Sequence, residues 1–330
     1  RVIEKLKDYE FEKFIVGTKL SSDLLQKEEE MIEEIGAEFY ESLKSTFNRE
    51  VGKIVEKELS KRADRENPHI TVLIDLEKNT ISLQVKSLFV YGEYQKLSRN
   101  IPQATWYCPN CKGKGCEKCK GSGLLYPTSI QMIIEKPLLK ATKGKRSRIH
   151  AEGREDVDVR CLAWRPFVIE IVKPKIRNID LRDIGIKINK SKKVKVRNLR
   201  LIEDGKQLIR KLKTERSEKT YRAIVVFKKE IDKKKLKELK QLNGAIIFQK
   251  TPTRVLVRRV DKERKRRVIR ISYKLVNKKT LELTIRASAG LYIKEPITGD
   301  NGRTKPNISE ILNNIPKKIL LDVIKIHRGE

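Results

Sequence analysis

The chain contains 330 residues, about twice the usual size of one domain, so we expect two domains that each bury a core. Lys and Arg number 76 against 44 Asp and Glu, a formal net charge of +32. This surplus excludes an ordinary acidic cytosolic enzyme and favours a polyanionic partner, because neutralised phosphates release condensed counterions. No stretch approaches the roughly 18 apolar residues that span a bilayer, and no signal peptide is recognised, so we expect a cytoplasmic protein without a membrane partner.

The N-terminal part of the chain predicts a small α+β unit. Apolar residues recur at three- and four-residue spacing across residues 22–61, which indicates helix, with Gly36 and Gly52 as candidate breaks. Apolar and other residues then alternate at 70–74 and 81–85, on either side of a turn, which predicts a β-hairpin.

The stretch after the hairpin mixes cations with aromatic residues. It contains Tyr91, Tyr94, Lys96, Arg99 and Trp106. Cations bind phosphates and aromatic rings stack on unpaired bases, so this composition predicts a contact with RNA.

Four of the five cysteines form two Cys-X-X-Cys pairs that are joined by four residues and flanked by glycines: Cys108, Cys111, Cys116 and Cys119. Each pair can turn two thiolates toward one ion, so the four predict one tetrahedral sulfur site. We expect structural zinc, with an iron–sulfur centre as the alternative. Two disulfides would conflict with the absence of a secretory signal, and a redox dithiol would not need the second pair.

We place the domain boundary near Leu125, with residues 1–125 as the accessory domain and 126–330 as the larger domain. A short helix is predicted from Ser129 to about Leu139. Beyond it, alternating apolar residues predict a largely antiparallel sheet with one solvent-exposed face. These runs lie at residues 167–171, 221–227, 269–275 and 281–285, and helices near 234–242 and 308–312 are expected to pack on the other face.

The charged run at residues 153–160 has an ordinary interpretation as a loop that enters a strand. Three later segments favour a functional interpretation of this run. They are residues 219–223, residues 249–255 with Arg258 and Arg259, and residues 290–295 with 299–304.

At these motifs the chain resembles the archaeal and eukaryotic tRNA pseudouridine synthases of Pus family ten, which join an RNA-binding THUMP-containing domain to a catalytic domain. The resemblance covers residues 129–327 and extends more weakly through residues 91–94 and the cysteines. It implies an α+β fold: a pseudouridine synthase domain, with a mixed, largely antiparallel sheet and flanking helices, after a smaller THUMP-like domain with a zinc knuckle. It also implies an isomerase that converts uridine to pseudouridine at positions 54 and 55 of the tRNA T-arm. We expect no organic cofactor and no obligatory protein partner.

The resemblance assigns the catalytic residues one by one. Asp156 matches the aspartate of the Gly-Arg-Glu-Asp motif and is the predicted nucleophile. Asp158 is its local rival, because two residues that are two apart in a strand point to the same side. Lys294 matches the basic residue that pairs with the aspartate and favours its ionised form.

The resemblance also assigns residues around the substrate. Tyr221 matches a tyrosine that stacks on the target base, and Tyr292 and Ile293 match positions beside the uridine. Leu321 matches an apolar wall of the pocket, and an inserted Arg154 would offset the cost of extruding the uridine from its stack.

The segment around residues 254–267 is densely basic and predicts a surface for the tRNA backbone, with Arg254, Arg258 and Arg259 as candidate RNA-binding residues. Two other functions remain open from the sequence. One is a non-catalytic protein that binds structured RNA or acts as an RNA chaperone. The other, a THUMP-linked methyltransferase, would need a glycine-rich cofactor loop after a strand, and no such loop is found in a suitable context.

Overall fold

The computed structural model describes residues 1–36 and 40–328, with Arg258 described by its backbone alone. Two sheets organise these residues. A four-stranded sheet is built from the N-terminal part, and a ten-stranded sheet is built from the remainder. In residues 1–36 and 40–328, no helix is both long and apolar enough to cross a membrane.

The smaller unit packs helices on one mixed sheet. Its elements are α1 (Val2–Leu6), β1 (Lys13–Lys19), α2 (Ser22–Ile35), α3 (Leu43–Leu59), β2 (Arg62–Ala63), β3 (Ile70–Asp75) and β4 (Thr80–Val85). The strand order is β2-β1-β3-β4, and β1 runs parallel to both of its neighbours. The predicted hairpin is confirmed as β3 and β4, which pair antiparallel. Phe14, Val55 and Val72 are among the buried residues of its core.

The helix predicted over residues 22–61 is two helices. Helix α2 reaches its C-cap at Gly36, whose φ of 85° suits glycine and is strained for other residues. Gly52 does not break α3, where it is buried together with Val55. The first glycine therefore ends a helix because of its backbone conformation, and the second lies inside one at a buried position.

The larger unit confirms the α+β class. Its strands are β5 (Leu88–Lys96), β6 (Arg146–Ala151), β7 (Arg160–Val172), β8 (Val194–Ile202), β9 (Glu218–Phe227), β10 (Ile246–Gln249), β11 (Arg264–Asn277), β12 (Thr280–Ala287), β13 (Thr304–Lys305) and β14 (Pro316–His327). Its helices are α4 (Ile130–Thr142), α5 (Leu181–Asn189), α6 (Gly205–Thr214), α7 (Lys294–Thr298) and α8 (Ile308–Leu312), with 3-10 helices at Glu117–Cys119, Lys235–Leu242 and Thr253–Arg258. Serine and asparagine caps begin two of the predicted helices: Ser129 Oγ accepts from Met132 N, and Asn307 Oδ1 accepts from Glu310 N.

The large sheet has the order β13-β10-β11-β12-β9-β14-β7-β5-β8, with β6 paired to β7. Within the described residues, its pairings are antiparallel except that of β14 with β7. The predicted mixed, largely antiparallel sheet is therefore confirmed.

Two apolar cores lie side by side along strand β7. Cys161 and Ala163 belong to the core with the Lys235–Leu242 helix and α8, whereas Phe167 and Ile169 belong to the core with α4 and α5. Arg165 lies between them in the sequence and shares their side of the strand, because side chains two residues apart project to the same face. The two cores therefore leave a polar position between them, and this is where the candidate site lies.

The two sheets divide the chain at a different point from the boundary predicted near Leu125. Strand β5 pairs with β7 and β8 inside the large sheet, so residues 88–96 are part of the larger unit. The composition of this stretch did not show which sheet it would join, because pairing partners are set by tertiary contacts.

Candidate active site

A cavity of about 300 Å³ opens beside Arg165, against the core that contains Cys161 and Ala163. It brings together predicted site residues from five separate segments: Arg154, Asp156, Tyr221, Arg254, Arg259, Tyr292, Ile293, Lys294 and Leu321. The side chain of Arg258, the remaining predicted RNA-binding residue, lies outside the described part of the chain. The lining is strongly basic, since Arg165, Lys219, Arg264 and Arg266 also contribute.

Asp156 lies in a turn before β7, and its side chain lines the cavity. Arg254 Nη1 is 2.8 Å from Asp156 Oδ2, and Lys294 Nζ is 3.7 Å from the same oxygen. Two cations therefore lie within 4 Å of one carboxylate oxygen.

Lys294 makes its direct contact with the rival carboxylate. Its Nζ is 2.7 Å from both Oδ1 and Oδ2 of Asp158. Burial tends to raise the pKa of Asp158, but the bond to Lys294 holds that pKa below its ordinary value. Asp158 is about half exposed and is not among the residues that line the cavity in the described part of the chain. The two aspartates do not share one strand face, because both precede β7.

The pairing predicted for Asp156 differs in its main partner. We expected Lys294 to hold Asp156 and Arg254 to bind the RNA backbone. Arg254 makes the closer contact with Asp156, and its Nε also donates to Glu295 Oε1 at 2.7 Å. Its carboxylate contacts raise the pKa of Arg254 although burial alone would lower it.

The walls of the cavity are aromatic and aliphatic. Tyr221 on β9 is half-buried, and burial raises its pKa to about 12, so the phenol is neutral at physiological pH. Leu321 on β14 and Ile293 are buried. The ring of Tyr292 lies 5.7 Å from the Arg254 guanidinium and 5.8 Å from that of Arg259. Such a cavity offers a flat ring and apolar contacts to a base, with cations around it.

A buried ion pair supports the loop that carries Asp156. Arg165 Nη2 is 2.9 Å from Glu155 Oε2, and both side chains are only 2 % exposed. Arg165 also donates through Nη1 to the backbone oxygen of Glu152. Gly153, at the start of the motif, has a φ of 72°, which a residue with a side chain rarely adopts.

The cations that precede the cysteines hold the backbone of the same loop. Lys96 is fully buried, and its Nζ donates to the carbonyl oxygens of Val157 at 2.8 Å and Asp156 at 3.1 Å. Arg99 donates to the carbonyl oxygen of Asp158 at 2.9 Å. Burial lowers the pKa of Lys96 to about 8. The sequence predicts an RNA contact in this stretch, but Lys96 and Tyr94 are inaccessible, and Lys96 and Arg99 instead bind the backbone of the Asp156 loop.

Gln249 is a further supporting residue that the sequence did not single out. It is 1 % exposed, its Oε1 accepts from Tyr292 N at 2.9 Å, and its Nε2 donates to Tyr292 O at 3.1 Å. One amide thus satisfies both backbone groups of a cavity residue.

Replacement of Gln249 by Met should destabilise the protein by about 1–3 kcal/mol, because it leaves a buried backbone N–H and C=O without their partners. The free energy of unfolding, measured by urea denaturation, tests this. The exposed Gln84, replaced in the same way, should change stability by less than about 0.5 kcal/mol. Equal effects of the two replacements would contradict the role given to Gln249.

The four cysteines of the paired motif converge. Their sulfur atoms lie within 4.8 Å of one another, and three of the Sγ–Sγ distances are 3.9, 3.7 and 3.7 Å. A tetrahedral ion with metal–sulfur bonds of about 2.3 Å would separate its ligands by about 3.8 Å, so the donor set fits. The cluster can therefore hold a metal ion.

Backbone groups of the knuckle point at the sulfur atoms. Gly115 N donates to Cys111 Sγ, and Gly123 N donates to Cys119 Sγ, each at 3.2 Å. Desolvation would raise the pKa of Cys119, but hydrogen bonds from backbone groups and neighbouring thiols lower it to about 6. These contacts favour the thiolates that a metal requires.

The base of the knuckle adjoins the Asp156 loop. Tyr107 and Leu124 form a β-bridge that closes the cysteine segment, and the rings of Trp106 and Tyr126 meet edge to face beside it. The guanidinium of Arg154 lies 5.9 Å from the Trp106 ring. The cysteine segment is thus connected to a residue that lines the cavity.

The chain matches known sequences over nearly its whole length. A sequence model described as "Pus10 THUMP domain, archaeal" matches residues 1–75, and one described as "Pus10, C-terminal" matches residues 89–327. The chain belongs to the Pus10 family. A relative from Methanocaldococcus jannaschii, named tRNA pseudouridine synthase Pus10, is 46% identical over 99% of this chain and 71% of its own length. A relative of the same name from Methanothrix thermoacetophila is 38% identical over 99% of this chain and 72% of its own.

Two solved structures show a distant likeness to this Pus10 chain. A crystal structure of a Cbf5-Nop10-Gar1 complex aligns with a TM-score of 0.38 and 13% identity, over 71% of this chain and 48% of that one. A crystal structure of pseudouridylate synthase aligns with a TM-score of 0.26 and 14% identity, over 92% and 88%. TM-scores this low do not establish a common fold, and the Pus10 assignment rests on the sequence matches.

Proposed function

We propose that this chain is a tRNA pseudouridine synthase that isomerises uridines 54 and 55 of the T-arm, with Asp156 as the nucleophile. The observation that carries the proposal is the carboxylate of Asp156 in a small cavity with a basic, aromatic and aliphatic lining, in which the other carboxylate, Glu155, is buried and paired with Arg165. Family membership supports the reaction and the tRNA substrate, and the resemblance of the motifs supports the T-arm.

The reaction is an isomerisation that needs no oxidant or second substrate. The bond between N1 of uracil and C1′ of ribose breaks, the base turns, and a bond forms between C5 and C1′. The proton on C5 is lost, and N1 of the product carries one in its place. A carboxylate can act as the covalent participant, by attack on the sugar or the base, without an organic cofactor.

Arg254 and Lys294, the two cations beside Asp156, stabilise negative charge on its carboxylate. Removing a carboxylate from water disfavours its charged form, and nearby positive charge reverses that effect. Arg254 at 2.8 Å and Lys294 at 3.7 Å place two positive charges beside Asp156 Oδ2 before the substrate arrives. Asp158 holds Lys294 by two contacts and so fixes the second cation in place.

The remaining walls suit an extruded uridine. Stacking of the base on Tyr221 and contact with Leu321 and Ile293 would offset the few kcal/mol that extrusion costs. Arg154 is exposed at the edge of the cavity and is placed to fill the gap that the uridine leaves. Arg259, Arg264 and Arg266 would bind the flanking phosphates.

The experiment that tests this proposal maps pseudouridine in an unmodified tRNA after incubation with the purified chain. We expect pseudouridine at positions 54 and 55, with loss of each signal when that uridine is replaced by cytidine. Modification elsewhere in the tRNA, with none in the T-arm, would contradict the assigned site.

The non-catalytic alternative explains less of the site. A protein that only bound RNA phosphates would gain from an unbroken basic surface, whereas the negative charge of Asp156 in the cavity lining would weaken phosphate binding. Its signature would be RNA-folding activity without any modified base in the product.

We propose that the four cysteines hold structural zinc. Four protein ligands close the coordination shell, so the ion would stabilise the knuckle and take no part in the isomerisation. Zinc binding would then fix Trp106, and through it the Arg154 side chain.

Elemental analysis of protein purified without chelator should give one zinc per chain. Cys116→Ser should lose the metal and lower the melting temperature, because structural zinc contributes directly to folding. The buried Cys161 serves as the matched control: its replacement by Ala should leave the zinc content unchanged. Iron, or the same zinc content in Cys116→Ser, would contradict the assignment.

A further inference from the structure

We propose that Glu295 is a positioning residue that holds the Arg254 guanidinium against the proposed nucleophile, an inference that rests on the function proposed above. The family motifs assigned no role to Glu295, and the basic composition of residues 254–267 predicted that Arg254 binds the RNA backbone. The structure joins three residues from distant segments in the order Asp156, Arg254, Glu295.

The contacts use different atoms of one guanidinium. Nε of Arg254 donates to Glu295 Oε1 at 2.7 Å, and Nη1 lies 2.8 Å from Asp156 Oδ2. Because the guanidinium is a rigid plane, fixing Nε fixes the direction in which Nη1 points. A carboxylate at Glu295 therefore determines how the cation meets Asp156.

Burial distinguishes the two carboxylates. The side chain of Glu295 is 4 % exposed, whereas that of Asp156 is 33 % exposed and lines the cavity. Glu295 is not among the cavity-lining residues in the described part of the chain. It is thus placed to act through Arg254 and not on the uridine.

Glu295 is a buried carboxylate whose main partner is Arg254. Burial raises the pKa of Glu295, and the bond from Arg254 opposes that rise. Oε2 of Glu295 is buried without a hydrogen-bond partner among the described residues, so Arg254 is the contact that compensates for burying the group. Further charges near Arg254 and Asp156 are Lys294, which is held by Asp158, Arg259 across the Tyr292 ring, and Lys96 beneath the Asp156 backbone.

The same bond holds a basic segment at the cavity. Arg254 lies in the 3-10 helix at Thr253–Arg258, and Glu295 lies in the first turn of α7. Without the Glu295 contact, the Arg254 side chain would be free to leave Asp156 for a substrate phosphate. The contact with Glu295 thus keeps Arg254 paired with the nucleophile and prevents it from binding a phosphate.

The first measurement needs no synthase activity. In NMR spectra of ¹⁵N-arginine-labelled full-length protein, the Nε–H of Arg254, assigned by its loss in Arg254→Gln, should be protected from solvent exchange. Glu295→Gln should remove most of that protection, because the neutral amide is a weaker acceptor than the carboxylate. Glu310→Gln, at an exposed position on the adjacent α8, should leave the signal unchanged.

The second measurement is kinetic. Glu295→Gln should lower kcat about 10- to 100-fold, since small displacements of a catalytic group have effects of this size. The KM for the tRNA should not rise by more than about threefold, because Glu295 does not touch the substrate and the released Arg254 can still bind a phosphate. In an Arg254→Gln background, Glu295→Gln should change kcat by less than about twofold, as expected of residues that act as a unit.

The conservative variant Arg254→Lys provides a test if Glu295→Gln does not fold. Lysine keeps the charge, but its single ammonium group cannot present two fixed directions, so kcat should fall as in Arg254→Gln. Full activity of Arg254→Lys, or independent effects of the two replacements in the double variant, would overturn the proposal. An unprotected Arg254 Nε–H in the wild-type protein would also overturn it. Absence of pseudouridine with the wild-type protein would refute the proposed function. The NMR experiment would still test whether Glu295 holds Arg254, because it does not depend on activity.

Discussion

Replacement of Asp156 by Asn should abolish pseudouridine formation on a T-arm RNA, with a loss of at least about 10⁴-fold in kcat. The amide has the shape of the carboxylate but cannot act as the anionic covalent participant. Binding of the RNA should stay within about threefold of wild type or become tighter, because one negative charge leaves a basic cavity. Single-turnover assays with mapped pseudouridine, beside a filter-binding titration, measure the two quantities.

Asp158→Asn is the matched control for this experiment. It removes a carboxylate two residues away that lies outside the cavity lining and holds Lys294. We expect a loss of no more than about 10- to 30-fold, because Lys294 is then held less firmly near Asp156. If Asp158→Asn were inactive and Asp156→Asn fully active, the nucleophile would be Asp158.

Replacement of Glu155 by Leu should cost about 3–5 kcal/mol of folding stability, because it leaves the charge of Arg165 buried without its partner. The double variant Glu155→Leu/Arg165→Met should recover most of that loss, since a well-packed apolar pair often replaces a buried ion pair without cost. It should nevertheless stay inactive, because Arg165 lines the cavity and supports the Asp156 loop. Guanidinium denaturation, followed by fluorescence, measures the free energies of unfolding.

An exposed ion pair gives the comparison. Lys53 and Glu50 lie 2.9 Å apart on α3 with more than half of each side chain exposed. Glu50→Leu should change stability by less than about 1 kcal/mol, because solvent screens such pairs. If Glu155→Leu cost no more than Glu50→Leu, the pair of Glu155 and Arg165 would not support the loop as we describe.

Several features could be predicted from the sequence because they are local. Two cysteine pairs with short spacing bring four thiolates together through a few turns, and the structure places their sulfur atoms within 4.8 Å. Period-two alternation fixes which residues of β9 and β12 face the core, and caps at Ser129 and Asn307 mark the starts of helices. The motifs led to the Pus10 family, and they named nine residues that meet at one cavity.

The contacts among the cavity residues depend on the tertiary structure. The sequence could not show that Arg254 would be closer to Asp156 than Lys294, because a difference of about one ångström depends on how the Thr253–Arg258 helix and α7 pack. It gave no sign that Lys96 would be buried beneath the Asp156 loop, nor that Glu295 and Gln249 would hold cavity residues from behind.

The net charge of +32 illustrates the same division. Composition alone favoured a polyanionic partner, because the electrostatic field of a protein is the sum of its charges. The fold decided which cations stay free for that partner and which are bound internally. Arg165, Lys96 and Arg254 are committed to Glu155, to backbone carbonyls, and to Asp156 with Glu295, since burial makes an unpaired charge costly. Pairing of this kind acts between residues far apart in the chain, and only the folded structure brings them together.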